Sequence, residues 1–418
     1  SMLHSLLFVL AGIVYVSGYN NGVGDRPALA WNTWCTVENC GTDVCNEVEI
    51  KEIAQAMRSN GMYDVGYTRI NMDDCWEACD RDKNGNIQPD PDRFPNGIKS
   101  LTDTLHGMGF KFGLYTSAGS ITCSGGTRSN CHPPGSFGHY TDDANTFASW
   151  ELDYVKMDWC GKNLTNSTQQ HTQFSDALNA TGRHMWLELC RGYGYPPPPY
   201  VAEVAQSWRI TGDHHDDWGS TAKAIATSAG QTSMSGPYNW GYNDFLMTGG
   251  QGCTGDSNAN YSHAHCPGMS DIEYMSEFSL WAIIASPLIV ATDIRNMTDI
   301  MNKVLLNTEI LAVNQVNNYP AGDLLTNMTT NCDKNVSNAC QIWMRQIESN
   351  SVALVLFNAG DEQHDITVNL ADIPGQKWSG KDIELRDLWE HKTMGYWVNK
   401  YTNSIPAHGV QFLIATFQ

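Results

Sequence analysis

Two aspartates close short β-rich runs: Asp158 lies in DYVKMDW (153–159) and Asp213 ends SWRITGD (207–213). Hydrolysis of a glycosidic bond needs two carboxyl groups flanking the anomeric carbon, one to attack or activate water and one to protonate the leaving oxygen. If these runs are strands of a βα barrel, carboxylates at their C-terminal ends share the rim of one pocket. Either residue could instead be a helix N-cap in a βα loop, and residue type alone leaves that open. A second acidic pair, Asp73-Asp74, ends YTRINMDD (67–74). Each carboxylate can accept two hydroxyl hydrogen bonds, which suits a sugar; the plainer alternative is a structural strand end beside Cys75.

The elements that must position these groups alternate. β-rich runs at 28–34, 67–74, 111–117, 153–159, 185–190 and 207–213 are interleaved with amphipathic segments at 47–57, 98–108, 142–150 and 200–206. That alternation is the pattern of parallel βα units. NDFLMTG (243–249), FSLWAIIA (278–285) and LIVATDI (288–294) can complete eight. After Gln315 the texture changes to period-two segments, QIWMRQIE (341–348), VALVLFN (352–358) and HDITVNL (364–370), with GVQFLIATF (409–417) as a closing strand. The expected organisation is a (β/α)8 TIM barrel over 24–315, then a C-terminal antiparallel β-sandwich over 320–418.

A formal net charge of −20 would repel nucleic acid and anionic membranes, so a neutral or cationic ligand is expected. The apolar run LLFVLAGIVYV, followed by Ser17 and Gly18, reads as a signal peptide over 1–18 and implies a secreted or lysosomal/vacuolar protein. A buried first strand or a membrane anchor is the alternative. Thirteen cysteines without zinc-like spacing favour disulfides, one thiol being left over. Sequons at Asn163, Asn166, Asn179, Asn260, Asn296, Asn327 and Asn335 point to the same compartment. Cys253 with Cys266, and Cys332 with Cys340, are close enough in sequence to pair.

The segments LAWNTW, NMDDCW, DPDRFPNGIKSL, KFGLYTSAG, PPGSFGHYTDDANTFASWELDYVKMDWC, WRITGDHHDDW, FSLWAIIASPLIVATDIRNM and RDLWEH occur in order from about residue 24 to the C-terminus. Together they resemble the α-galactosidase family, glycoside hydrolase family 27. The resemblance implies a retaining double displacement with no metal and no organic cofactor. Asp158 in YVKMDWC would be the nucleophile and Asp213 the acid/base. Asp73 would hold a 6-hydroxyl, Asp74 the axial 4-hydroxyl, and Lys156 the 3- and 4-hydroxyls. Trp34 would form an apolar wall, Tyr115 would orient the nucleophile, and Arg209 would hold the 2/3 side. Cys123 and Cys160 align with a disulfide beside the pocket, and Cys190 is left as the free thiol. Asp216 and Asp217 read as a solvated loop or a helix N-terminus.

Two stretches depart from the family pattern. Near the seventh strand the chain reads NWGYNDFL, where only Trp240 and Asp244 keep their places, and Asp244 is a candidate ligand-facing acid. The C-E-W or C-S-W segment that reads the sugar's 2-substituent is here CRGYGY, which puts Arg191 beside the 2-position. Arg191 would exclude an acetamido group, unless it turns outward and Tyr193, Tyr195 or Glu188 lines the pocket instead. The expected partner is a galactose-terminated oligosaccharide or glycoconjugate. An α-N-acetylgalactosaminidase, a β-L-arabinopyranosidase and an inactive galactose-binding protein are the alternatives, and an oligomer is possible.

Overall fold

The computed structural model describes residues 19–34, 44–123, 131–250, 267–325 and 339–418. Eight strands form one parallel sheet: β1 (Leu29–Asn32), β2 (Arg69–Asn71), β3 (Lys111–Ser117), β4 (Tyr154–Asp158), β5 (Trp186–Cys190), β6 (Ser207–Arg209), β7 (Trp240–Tyr242) and β8 (Leu288–Val290). Their order is β7-β6-β5-β4-β3-β2-β1-β8, so β1 pairs with both β2 and β8. The sheet closes through Leu246, which forms a parallel bridge with Val290. NDFLMTG therefore supplies the closing contact just after the seventh strand, and is not itself that strand.

Helices cover the outside: α1 (Glu47–Ser59), α2 (Gly97–Gly107), α3 (Tyr140–Ser149), α4 (Ser167–Ala180), α5 (Tyr200–Val204), α6 (Trp218–Ser228), α7 (Asp271–Ile283), α8 (Asp299–Leu305) and α9 (Thr308–Asn314). FSLWAIIA lies mostly in α7, contrary to the expectation of a strand-like run. Every residue from Phe278 to Ile283 is buried, because α7 is covered by the barrel on one side and the sandwich on the other. A helix buried all round loses the amphipathic period that would have identified it. Polar caps set several helix starts: the Asn46, Asn166 and Asp217 side chains accept from backbone N–H groups of α1, α4 and α6.

Side chains alternate between two environments along each barrel strand. Leu114, Val155, Leu187, Leu189 and Trp208 pack outward in the large core beneath the helices. Tyr154, Trp186 and Trp240 form a separate cluster with Ala28 and Ala285, which plugs the barrel. The period-two alternation then carries Lys156 and Asp158, Glu188 and Cys190, and Arg209 upward on the inner face toward the C-terminal rim. Gly113 is a glycine for a visible reason: a Cβ there would lie 2.4 Å from the Tyr154 ring.

The remainder is antiparallel: β9 (Asp323–Leu324), β10 (Cys340–Glu348), β11 (Ser351–Asn358), β12 (His364–Asn369), β13 (Asp382–Asp387), β14 (Lys392–Val398), β15 (Lys400–Ile405) and β16 (Val410–Phe417). Six strands form a sheet in the order β14-β13-β16-β11-β10-β9, and β12 pairs with β15 in a second one. Ile342, Leu354, Leu356, Ile366, Val368 and Leu413 fill the space between the two sheets. Among the described residues, no helix is long and apolar enough to cross a membrane. The expected signal peptide, Cys253, Cys266, Cys332, Asn260, Asn327 and Asn335 all lie outside the described residues.

Candidate active site

A cavity of about 260 Å³ opens at the C-terminal ends of the barrel strands. Trp34, Asp73, Asp74, Tyr115, Cys123, Lys156, Asp158, Arg191, Arg209, Asp213 and Asp244 all line it, so every proposed catalytic and sugar-binding residue meets in one place. Trp159, Cys160, Cys190, His215 and Phe245 also line it, although sequence reasoning gave them no binding role. Trp159 had a usable signal, since it directly follows Asp158. Tyr193, Tyr195 and Glu188, the alternatives to Arg191, are not on the wall.

The floor is built around one buried ion pair. Lys156 Nζ lies 2.7 Å from Asp73 Oδ2, with both side chains almost fully enclosed. Asp73 also accepts from the Asn32 amide and the Asp74 backbone N–H. Burial alone would lower the proton affinity of Lys156, but Asp73 and the neighbouring anions outweigh it and raise it. Lys156 therefore stays charged.

Asp158 ends β4. Its Oδ1 accepts the Trp159 N–H at 2.7 Å and its Oδ2 accepts the Tyr115 hydroxyl at 3.3 Å. Burial raises its pKa, while Lys156 and the Trp159 N–H oppose that rise. Cys123 and Cys160 are disulfide-bonded, and Cys123 Sγ lies 3.1 Å from Asp158 Oδ2. Cys123, Asp158 and Cys160 are the one group of potential metal ligands compact enough to hold an ion among the described residues, but two of the three are tied up in that disulfide. Two further bridges, Cys45–Cys75 and Cys79–Cys131, brace the loop after β2. The sequence reading did not pair these cysteines, because spacing alone cannot give connectivity. Cys340 is also disulfide-bonded, and Cys190 is free and buried.

Asp213 stands at the mouth, its side chain 54% exposed, and it is gripped from two sides. Arg191 binds Oδ2, and Arg209 reaches Oδ1 at 3.3 Å. Burial pushes the Asp213 pKa up, but the two guanidiniums outweigh it and hold the carboxyl below its usual range. Arg209 is itself buried and pairs with Asp244 Oδ1 at 2.9 Å. Asp244 adopts a positive φ of 77° and accepts the His214 N–H at 2.8 Å. His214 is buried and bridges Ser220 and Glu277, which props the segment carrying Asp213 from behind. Asp217 caps α6. Asp216 is buried rather than solvated, accepting the Tyr274 hydroxyl at 2.7 Å.

A (β/α)8 barrel with paired carboxylates at its rim and a β-sandwich behind it defines a glycoside hydrolase. The family model for α-galactosidase A matches residues 26–316, and that for the α-galactosidase C-terminal β-sandwich domain matches 337–415. The chain belongs to this family and is an α-galactosidase-type enzyme. It is 33% identical to an α-galactosidase of Cyamopsis tetragonoloba, covering 95% of this chain and 87% of that one. It is 36% identical to α-galactosidase 3 of Arabidopsis thaliana, over 89% and 77% respectively. The crystal structure of α-galactosidase I from Mortierella vinacea superposes with a TM-score of 0.78 at 30% identity, covering 96% of this chain and 100% of that one.

Proposed function

We propose that this enzyme removes terminal non-reducing α-D-galactosyl groups from oligosaccharides or glycoconjugates by double displacement, with Asp158 as nucleophile and Asp213 as general acid/base. The shared cavity carries this reading. Asp158 is held among buried groups beneath the site of the sugar, and Asp213 stands where a leaving group must exit. In this reading Asp73, Asp74 and Lys156 hold the 6-, 4- and 3-hydroxyls, Arg209 and Asp244 the 2/3 side, and Trp34 the apolar face.

The charge states of the pocket need one change before turnover. Asp213 must carry a proton to act as an acid, yet Arg191 and Arg209 keep it ionised. A sugar that covers Asp213 and takes Arg191 as a hydrogen-bond partner raises its proton affinity on both counts. We expect an acidic working range, roughly pH 4–6, which agrees with secreted or lysosomal duty. The sequon residues Asn163, Asn166, Asn179 and Asn296 are exposed, as glycan acceptors must be.

A chromogenic α-galactoside assay tests the function, and Asp158→Asn tests the mechanism. Removing the nucleophile forfeits the covalent path, so a loss of at least ~10³-fold in kcat is expected. A variant keeping a tenth of the wild-type kcat would refute the assignment.

A further inference from the structure

Below the sugar-facing residues lies a carboxylate that the mechanism leaves idle. Glu188 is fully buried in the middle of β5, and the Tyr154 hydroxyl faces it without closing a well-formed hydrogen bond to either oxygen. It sits in register beside Lys156 on β4 and Ser207 on β6. The titratable and charged groups facing it are Tyr154 and Lys156 from β4, Arg209 from β6, and Tyr242 and Asp244 from β7 and the turn after it.

Charge balance singles it out. Among the described residues Asp73, Asp74, Asp158, Asp213, Asp244 and Glu188 lie around three lysine and arginine cations, Lys156, Arg191 and Arg209. Ionising one more carboxylate among them is costly where that group is fully buried. Asp73, Asp158, Asp213 and Asp244 each accept charge-assisted or backbone hydrogen bonds, and Asp74 also has an interaction partner. Glu188 has neither kind of donor within hydrogen-bonding distance, and its full burial favours the neutral acid.

We propose that Glu188 is a positioning residue for the two sugar-gripping cations: as a neutral acid it leaves Lys156 and Arg209 directed up into the pocket, and as a carboxylate it draws them down into the barrel. Burial lifts its pKa to about 7, against the pull of Lys156, the Tyr154 hydroxyl and Arg209. The grip on the sugar is then full in acid and slackens as the medium passes neutrality.

The proposal rests on a galactosyl group occupying this pocket, and calorimetric titration with galactose at pH 5 and pH 8 separates the two claims. Wild-type protein should bind roughly 4-fold more weakly at pH 8 than at pH 5, as the ionised Glu188 competes for the two cations. Glu188→Gln, a permanent mimic of the neutral acid, should lose that difference. Tyr154→Phe removes a hydroxyl that favours the anion, so its affinity should fall at a higher pH than that of the wild type. No binding to the wild type at pH 5 would refute the galactose reading itself. Binding with an unchanged pH dependence in Glu188→Gln, or in Tyr154→Phe if the first variant does not fold, would overturn the role of Glu188 alone.

Discussion

Arg191 binds Asp213, the carboxyl that the proposed mechanism needs protonated for its first step. Removing its guanidinium with Arg191→Met leaves Asp213 with Arg209 alone, so its proton affinity rises. Because Asp213 is held low and Asp158 is raised, the acidic limb of the kcat/KM profile reports Asp213 in the free enzyme, and that limb should move to higher pH in the variant. An unmoved limb would mean that Arg191 does not hold Asp213 in solution. The same side chain bears on specificity. If its length fills the space beside the 2-position, wild-type kcat/KM on a p-nitrophenyl α-galactoside should exceed that on the α-N-acetylgalactosaminide by more than ~100-fold, beyond what one modest contact gives. That Asp73, Asp74, Asp158 and Asp213 gather at one rim could be read in the sequence because they lie at or just after strand ends within long matched segments. The grip of Arg191 on Asp213 could not, since it depends on two loops meeting across the rim. The bridge from His214 to Glu277 was hidden for the same reason, 63 residues separating its ends.

Strand β4 delivers Lys156 and Asp158, and the turn that follows it determines where Asp158 points. Gly161 in that turn has φ +85°, and a Cβ there would lie 2.1 Å from the Ile121 carbonyl oxygen. Gly161→Ala combines a left-handed backbone with a backbone clash, so it should cost roughly 1–3 kcal/mol and lower kcat together with the melting temperature. A variant with wild-type kcat and Tm would show that the turn can shift without disturbing Asp158. The first six strands were legible because their β-rich runs have clear polar ends. α4 and α6 were not: α4 carries buried Gln170 and His171 where an apolar stripe would be expected, and α6 is built largely from Ala, Ser and Thr. α7 was lost for the opposite reason, its second half being buried on every side.

The two parts of the molecule are joined by more than apolar contact. Arg345 on β10 is buried and donates to the carbonyls of Val313, Asn314, Val316 and Pro320, at and just beyond the end of α9. Lys or Arg near a helix C-terminus satisfies carbonyls that the helix leaves open, and here the donor comes from the sandwich. Trp218 on α6 stacks on His408, whose imidazole also meets Glu273 on α7. Arg345→Met would strand four carbonyls at a buried junction, so a loss of roughly 3 kcal/mol or more is expected in calorimetric unfolding. A melting temperature within a degree of the wild type would show that the carbonyls find other donors. The sequence revealed the change of texture after Gln315 but not this junction, because no periodic pattern marks a single arginine as a helix cap.

The unpaired cysteine has a consequence for how the molecule is made. Burial pushes the Cys190 thiol well above its ordinary pKa, and attack on a disulfide requires the thiolate. In the finished barrel Cys190 lies beside the Cys123–Cys160 bridge but is chemically silent. In the unfolded chain that protection is gone, and a thirteenth thiol competes for every other cysteine. Correct oxidation thus depends on timing: β5 has to be enclosed between β4 and β6 before the bridges become permanent, and a folding catalyst able to reopen wrong pairs serves this chain more than one with an even count.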